Sequence, residues 1–375
     1  MLPDQYERRV LVGVTGLSPQ VITETLYGLA FINKPSFIPT EIHLVTTLEG
    51  AHRAKLDLLH EDSGKFLALC REYELPPITF NPSTIHVIKD SYGHEMDDIR
   101  TPEENEAAAD YITGLLSSLT QDANAAIHVS IAGGRKTMGY YLGYALSLFG
   151  REQDRLSHVL VSDGYESHKD FFYPTLKSNV IYARGDRPLD TSKAEIALAQ
   201  IPFIRIRDSI PENLRSGKAG FLQTINLAKK AEMEPELIID MAQKKISANG
   251  VVFTLKDILF AFYCWVIEQT LNQQTLLYKP NEYDPEVQYA EQFIAQYIKL
   301  VGANRDIDKT LDGLSKGMDS NFFSEKKSRI NQSFKQILGK RLAENFEIKG
   351  LGRRGDMFYA TRLKPEQVVF GLIQE

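Results

Sequence analysis

The chain has 375 residues, of which 43% are hydrophobic and 25% are charged, and its formal net charge is −6. This length predicts two domains, and no run approaches the roughly eighteen apolar residues of a membrane span, which argues against a membrane protein. The first residues lack the long apolar stretch of a secretory signal, so we expect a cytoplasmic location. The two cysteines, Cys70 and Cys264, lie far apart and predict buried free thiols, not a disulfide framework or a zinc site.

The first 170 residues alternate short β-branched runs with longer amphipathic stretches. This rhythm predicts an α/β fold with a doubly wound, mostly parallel sheet that carries helices on both faces. We expect this domain to cover residues 1–175. The predicted strands are Val10–Val14, Ile42–Thr46, Ile85–Ile88, Ile127–Ile131 and His158–Ser162, and the predicted helices lie near 20–33, 51–73, 103–119 and 137–149.

The second half of the chain has a different pattern. Residues 176–215 are rich in Pro, Gly and Asp and predict a connector that can add edge strands. Residues 216–375 predict a helical domain, with helices over 219–245, 255–274, 285–301 and 324–339. The segment NFEIKGLGRRGDMFYATRL then predicts two strands around a Gly- and Arg-rich turn. A helix followed by a basic hairpin is the outline of a winged helix.

This C-terminal module is basic, because residues 324–364 carry 11 basic and 4 acidic side chains. The apolar residues of helix 324–339 fall on one face, which predicts that its basic residues point outward. Such a module can bind duplex DNA through the phosphates, and it can equally serve as a dimerisation or lid element. The candidate nucleic-acid contacts are Lys326, Lys327, Arg329, Arg353 and Arg354, with Lys335 on the same helix.

Two strand-to-helix junctions of the first domain carry glycine turns. In VTGLSPQV, Gly16 permits a tight turn, Ser18 suits the N-cap of the next helix and Pro19 suits its first position. The amides of such a helix start bind anions at the open end of a parallel sheet.

The second junction, SIAGGRKTMG, adds positive charge to the same design. Gly133 and Gly134 allow the backbone to approach a ligand, while Arg135 and Lys136 supply cations beside Thr137. We expect both junctions to face one crevice that holds an anion; the alternative is that each only makes a tight turn.

Familiar catalytic motifs do not fit these turns. The first lacks the G-x-G-x-x-G of dinucleotide-binding folds, and GGRKT resembles a P-loop only loosely. GLSPQ looks like the nucleophile elbow of a serine hydrolase, but the residue after the serine is Pro19, which has no N–H for an oxyanion hole. No metal-binding motif follows the strands.

A polar stretch, HEMDDIRT, precedes the helix predicted over 103–119. Thr101 and Glu104 have the spacing of a capping box. Asp98 and Arg100 predict a loop network, and together with Thr101 they are candidate lid or loop contacts above the crevice.

The segments VGVTGLSPQVITETLYGL, IHLVTT, DDIRT and SIAGGRKTMGYYLGYALSLFGR together resemble the CRISPR-associated Rossmann-like (CARF) proteins that sense cyclic oligoadenylates. The resemblance covers residues 8–175, and a weaker one reaches the winged-helix-like C-terminus. It implies a Rossmann-like domain and a homodimer that places the ring across its two-fold axis. Some relatives are ring nucleases, which cut the bound ring and end the antiviral signal of type III CRISPR systems.

The motif match implies roles for individual residues. Ser18 and Lys136 take the catalytic positions, with Arg135 beside them. The implied ligand-binding residues are Thr15, Gly16, Leu17, Gln20, Thr46, Thr47, Gly133, Gly134, Thr137 and Met138.

The expected reaction needs neither a metal nor another cofactor. The 2′-hydroxyl of the ring attacks the adjacent phosphorus in line, the cations stabilise the added charge, and the products carry a 2′,3′-cyclic phosphate and a 5′-hydroxyl. We expect slow cleavage, because neither junction holds a histidine, and we expect tetra-adenylate in preference to hexa-adenylate.

Other functions stay open at this point. Many CARF proteins activate a fused ribonuclease whose common form needs an R-x(4–6)-H pair on a helical bundle, but this chain has no histidine after His168. The main alternative is a DNA-binding regulator gated by a cyclic oligoadenylate, without ring cleavage. A third is a small-nucleotide enzyme unrelated to CRISPR.

Overall fold

A computed structural model describes residues 1–166, 168–183, 185–211, 220–272, 276–301, 305–353 and 356–373 of the chain. The described residues form two compact units. The first holds residues 1–207 and 220–223, and the second holds residues 208–211 and 224–373. Among these residues, no helix is both long and apolar enough to cross a bilayer.

A six-stranded sheet forms the centre of the first unit. Its strands are β1 (Arg8–Val14), β2 (Glu41–Thr46), β3 (Ile85–Val87), β4 (Ala125–Ser130), β5 (Arg155–Val161) and β8 (Ile196–Gln200), whereas β6 (Val180–Ala183) and β7 (Arg187–Asp190) form a separate hairpin. The order is β3-β2-β1-β4-β5-β8, and only β8 runs antiparallel to its neighbour. The predicted α/β class with a mostly parallel sheet is therefore confirmed.

Helices cover both faces of this sheet. They are α1 (Gln20–Tyr27), which continues as a π-helical turn over Gly28–Ile32, α2 (Leu48–Leu59), α3 (Lys65–Glu72), α4 (Pro102–Leu119) and α5 (Lys136–Phe149). Along β1, Val10, Val12 and Val14 pack towards α4 and α5, and Leu11 packs towards the first three helices. The alternation arises because successive strand residues point to opposite faces.

The single helix predicted over 51–73 is wrong, because the chain breaks between α2 and α3. A side chain at Gly64 would place its Cβ 2.5 Å from the carbonyl oxygens of Leu58 and His60. Gly64 therefore lets the chain fold back closely on the end of α2 before α3 starts.

The order of the sheet fixes where a ligand can bind. From β1 the chain moves outward to β2 and β3 on one side, and it then returns to β4 on the other. The helices that follow these two strands, α1 after β1 and α5 after β4, lie on opposite faces of the sheet. In doubly wound sheets the crevice between the loops that lead to such helices, at the carboxyl ends of the strands, is the usual ligand site.

The second unit contains a small sheet that the sequence did not predict. After α6 (Phe221–Lys230) come β9 (Leu237–Asp240), β10 (Lys245–Ala248) and β11 (Val251–Thr254), and with β14 (Val368–Phe370) they give the order β11-β10-β9-β14. The helix predicted over 219–245 is thus wrong beyond residue 230. The turn between β10 and β11 is Asn249-Gly250, both with positive φ, which is a strong hairpin signal.

The rest of the second unit is helical, as predicted, and ends in the predicted hairpin. The elements are α7 (Asp257–Leu271), α8 (Val287–Val301), α9 (Arg305–Leu314), α10 (Ser320–Leu338), α11 (Lys340–Ala343), β12 (Lys349–Arg353) and β13 (Asp356–Ala360). Helix α7 forms the core, with every residue from Leu259 to Ile267 buried. Both cysteines are free; Cys264 is fully buried within α7, as predicted, whereas Cys70 is only half-buried.

Candidate functional site

The two glycine junctions lie against each other at the carboxyl edge of the sheet. A side chain at Gly16 would place its Cβ 3.8 Å from the Cα of Gly134, and one at Gly133 would place its Cβ 2.5 Å from the carbonyl oxygen of Val14. Gly134 also has a φ of +71°, which other residues rarely adopt. At residues 133 and 134 only glycine permits this approach, and the structure thus places the two predicted loops in contact.

Both helices that start here expose free backbone amides. At the start of α1 the amide of Ile22 donates a hydrogen bond to the carbonyl of Pro19 at 3.1 Å. At the start of α5 the amide of Met138 donates to the carbonyl of Arg135 at 2.9 Å. Within the part of the chain that the structure describes, no acceptor meets the amides of the residues before Ile22 and Met138 in these helices. Two sets of helix N-terminal amides thus offer adjacent positive ends to an anion.

Ser18 is not the helix cap that the sequence predicted. Pro19 occupies the N-cap of α1 with φ −75° and ψ −6°, and no side chain caps the helix. Because Pro19 is already helical in conformation, Ser18 lies one residue outside the helix start. Its exposed hydroxyl has no hydrogen-bond partner among the described residues, so it is available to a ligand.

The two cations of the second loop differ in their surroundings. Arg135 donates two hydrogen bonds to the Asp98 carboxylate, one of them from Nε to Oδ1 at 2.8 Å. The Nε of Arg100 donates to Oδ2 of the same carboxylate at 3.1 Å. The Arg135 guanidinium holds the pKa of Asp98 well below its usual range. Lys136 is exposed, and no carboxylate among the described residues pairs with it. Lys136 is therefore the cation free to meet a phosphate, whereas Arg135 also anchors the Asp98 loop.

The Asp98 loop itself is held in place from two sides. Thr101 and Glu104 form the predicted capping box of α4, with the Thr101 hydroxyl accepting from the Glu104 amide at 3.2 Å. The carbonyl of Met96 accepts a hydrogen bond from the amide of Leu48 at the start of α2. Asp98 is thus fixed beside the crevice before any ligand arrives.

The predicted threonines after β1 and β2 lie under the loops. Thr15 and Thr46 are fully buried, and the Thr46 hydroxyl donates to the Thr15 carbonyl at 2.7 Å. Thr47 is also buried and caps α2 by accepting from the Gly50 amide at 3.4 Å. The Thr46 side chain therefore holds the first loop in position, whereas the Thr15 hydroxyl oxygen has no partner among the described residues.

The remaining predicted binding residues divide by exposure. Leu17 is 56% exposed and Thr137 is exposed, so both are accessible at the crevice. Met138 is fully buried, and its sulfur would lie 3.1 Å from a Cβ at Gly134. Met138 therefore supports the glycine turn from below and is not placed to touch a ligand.

Sequence reasoning missed Gly50, in the first turn of α2. A side chain there would place its Cβ 2.1 Å from the Thr46 hydroxyl oxygen and 2.8 Å from the Gly16 carbonyl oxygen. Gly50 therefore permits α2 to press against the first glycine loop.

Gly50→Ala should lower the free energy of unfolding by about 1–3 kcal/mol, because the added methyl group overpacks this contact. Thermal unfolding of the purified protein measures the change. Gly143→Ala, within α5, is the matched control: its Cβ would make ordinary contacts with the side chains of Leu156 and Ile131 at 3.7 and 3.9 Å, so a neutral or stabilising effect is expected. Equal stabilities of the two variants would contradict the close contact at Gly50.

Sequence reasoning also missed Glu24, one helical turn after Gln20 in α1. Glu24 is only 5% exposed and has no hydrogen-bond or ion-pair partner among the described residues. Burial raises its pKa to about 8, and the nearby Glu166 adds to the rise. A glutamate in an amphipathic stretch is usually a surface residue, so the sequence did not single out Glu24. The one sequence feature that places Glu24 near the site is its i, i+4 spacing from Gln20, a predicted site residue.

Gln20 and Glu24 lie beside the loop that follows β5. Gln20 is 9% exposed, and its Nε2 donates to the carbonyl of Lys169 at 3.3 Å, while its Oε1 is buried and has no partner within the described part of the chain. Glu166 belongs to the same loop. The site consequently includes the loop after β5 as well as the two glycine loops.

The basic C-terminal residues are mostly engaged within the protein. The prediction that Lys326 points outward is wrong: it is 9% exposed, because its Nζ lies over the ring of Phe322, 4.8 Å from the centroid, and 3.1 Å from Glu325. Arg329 pairs with the same Glu325 at 2.9 Å.

Four further basic positions were singled out in the same segment. Lys327 is half-buried over the ring of Tyr359, and burial together with the nearby Lys279 lowers its pKa. Lys335 pairs with Glu347 at 3.1 Å. Arg353 is exposed at the end of β12, and Arg354 lies outside the described residues. Three of the candidate residues, Lys326, Arg329 and Lys335, thus pair with carboxylates of the same segment.

Comparison with known proteins adds one finding. A family model described as CRISPR-associated protein NE0113 matches residues 18–230, which is more than half of the chain. The matched range includes Ser18, the second glycine loop and the loop after β5. No curated protein matches the chain.

Proposed function

The chain belongs to the CRISPR-associated NE0113 family, and from this premise we propose that it is a CARF-type ring nuclease that binds a cyclic oligoadenylate and cleaves it without a metal. The observation that carries the proposal is the contact between the two glycine loops. It brings together two helix starts, the Ser18 hydroxyl and Lys136 at one edge of the sheet, and within the described part of the chain these amides, the hydroxyl and the ammonium group have no partner. These groups suit a phosphodiester.

In the proposed reaction the ring supplies its own nucleophile. The 2′-oxygen of one ribose forms a bond to the adjacent phosphorus, the bond from phosphorus to the 5′-oxygen breaks, and the proton released by the 2′-hydroxyl is balanced by protonation of the 5′-oxygen. Lys136 stabilises the charge on the phosphorane oxygens, and Ser18 with the helix amides orients them. Arg135 adds charge while it remains bound to Asp98.

A homodimer in the cytoplasm fits this proposal. A ring of four adenylates has a two-fold axis, so each subunit of a symmetric dimer can present the same loops to an equivalent phosphodiester. The exposed Leu17 lies next to Ser18 on the open side of the first loop. A ring of six adenylates has the same two-fold symmetry, and of the two we propose tetra-adenylate as the preferred substrate.

The test is to incubate the purified protein with rings of three, four and six adenylates in the presence of EDTA and to identify the products by mass spectrometry. Linear or halved products with 2′,3′-cyclic phosphate ends are expected from the tetra-adenylate ring. Intact ring after long incubation with stoichiometric protein would refute cleavage.

Tight ring binding without cleavage, and duplex affinity that changes with the ring, would instead support the winged-helix regulator. The pairing of Arg329 and Lys335 with carboxylates and the burial of Lys326 do not favour that alternative. Arg353 on the hairpin is its best remaining contact.

A further inference from the structure

The Asp98 carboxylate holds two arginines beside the second glycine loop. Its Oδ1 accepts hydrogen bonds from the Nε of Arg135 and from the amide of Ile99, both at 2.8 Å. Its Oδ2 accepts from a second nitrogen of Arg135 and from the Nε of Arg100, the latter at 3.1 Å. A carboxylate has about four lone-pair sites, so these donors saturate it. Asp98 therefore fixes two guanidinium groups side by side and has no acceptor left for a ligand.

Arg100 is fixed in its backbone and accessible at the end of its side chain. Its amide donates to Oε2 of Glu104 at 2.6 Å, which holds the chain just before α4. The side chain is 76% exposed, and within the described part of the chain its two terminal nitrogens make no hydrogen bond. Arg100 thus offers to solvent a planar pair of donors of the kind that binds a phosphate through two hydrogen bonds.

These side chains leave an excess of positive charge beside the crevice. Arg100, Arg135 and Lys136 are cations, and the one carboxylate that the described residues pair with them is Asp98. Two positive charges are therefore not compensated within this group, which fits a ligand with more than one anionic group.

The other carboxylates nearby do not cancel this excess. Glu104 accepts from the amides of Arg100 and Thr101 at 2.6 and 2.9 Å, and the positive end of α4 offsets its charge. Asp97 and Glu103 are exposed, so water and salt screen their charges.

We propose that Arg100 binds a second phosphodiester of the ring, next to the one that Lys136 holds. This inference rests on the proposed function, since it assigns the phosphates of the ring to two cations of one subunit. In a symmetric dimer each subunit faces half of the phosphodiesters of cyclic tetra-adenylate, which leaves one for Lys136 and one for Arg100.

The two cations act on different steps. Charge develops on the phosphate that is attacked, so Lys136 stabilises the transition state more than the bound ring. The phosphodiester at Arg100 is not cleaved and keeps its charge throughout. Arg100 therefore stabilises the bound ring and the transition state alike, which lowers KM and leaves the chemical step to Lys136.

Arg100→Gln tests the inference, because it removes the charge at a side chain whose exposure makes a change of fold unexpected. The dissociation constant for cyclic tetra-adenylate, measured in EDTA with the ring checked for integrity by mass spectrometry, should rise about ten- to a hundredfold. In single-turnover cleavage the rate at saturating ring should fall far less than in Lys136→Ala.

Salt dependence adds a readout that a merely structural role would not move. Each phosphate contact contributes about 0.7 to the slope of the logarithm of the affinity against the logarithm of the salt concentration. Arg100→Gln should lower this slope by about 1.4 for the two subunits of a dimer. Arg100→Lys keeps the charge and should keep the wild-type slope.

Arg71→Gln is the matched control, since Arg71 is an exposed arginine on α3, outside the glycine loops. It should bind the ring with wild-type affinity and slope. If the wild-type protein binds the ring and Arg100→Gln leaves the slope unchanged, with or without a loss of affinity, the inference is wrong while the proposed function stands. If the wild-type protein binds no ring, the proposed function fails and the inference fails with it.

Discussion

Replacing Lys136 with alanine should reduce cleavage of cyclic tetra-adenylate by about 10²- to 10³-fold, because removing a fixed group that stabilises developing charge typically costs a reaction that much. Lys136 is the first residue of α5, and no carboxylate among the described residues competes for it. Its side chain is exposed, so the fold should be unaffected. Single-turnover cleavage, measured with EDTA present, gives the rate.

Lys55→Ala is the matched control for this variant, since Lys55 is an exposed lysine on α2 outside the glycine loops. It should cleave at the wild-type rate. Arg135→Ala is a less specific probe, because it also releases Asp98 and the loop before α4. Wild-type cleavage by Lys136→Ala would remove Lys136 from the mechanism and leave the reaction to other groups.

The second large effect concerns stability and pH. In the unfolded chain Glu24 has an ordinary pKa near 4.5, whereas burial raises the pKa to about 8 in the folded protein. Between these values the folded protein holds a proton that the unfolded chain releases. The free energy of unfolding should therefore fall as pH rises from about 4.5 to about 8, by up to roughly 4–5 kcal/mol, and change no further from this group above pH 8.

Glu24→Gln isolates this contribution, because its side chain has nearly the same shape and does not ionise. Urea unfolding at several pH values should show the variant increasingly more stable than the wild type as pH rises towards 8, with little difference near pH 4.5. Glu61→Gln, at an exposed carboxyl between α2 and α3, should show no such trend. A constant difference between Glu24→Gln and wild type across this range would mean that Glu24 is already ionised in the folded protein.

The sheet of the first unit could be predicted from sequence because its strands are β-branched runs separated by clear helical stretches. The predicted first strand, Val10–Val14, lies within the observed Arg8–Val14 and ends at the same residue. The second unit was harder. Strands β9 to β11 are four residues each and follow a Lys-, Ala- and Glu-rich stretch that favours helix, so pairing between strands overrides local preference there.

The sequence predicts the two glycine loops of the candidate site, but it does not predict which charged groups lie next to each other there. Glycines and a helix start are local signals, and they mark both junctions. The partner of Arg135 is Asp98, which comes from a different loop, and the surroundings of Glu24 depend on a loop more than 130 residues later in the chain. Such long-range contacts have no signature in a single sequence, so the roles of these residues emerge only from the fold.

The position of β8 has a consequence for biosynthesis. The turn after α1 packs against this strand: a Cβ at Gly28 would lie 3.5 Å from the side chains of both Ile196 and Leu198. A helix made at the start of translation must therefore wait for a strand made some 170 residues later. Until then the nascent chain exposes the edge of β5 and the end of the first helix.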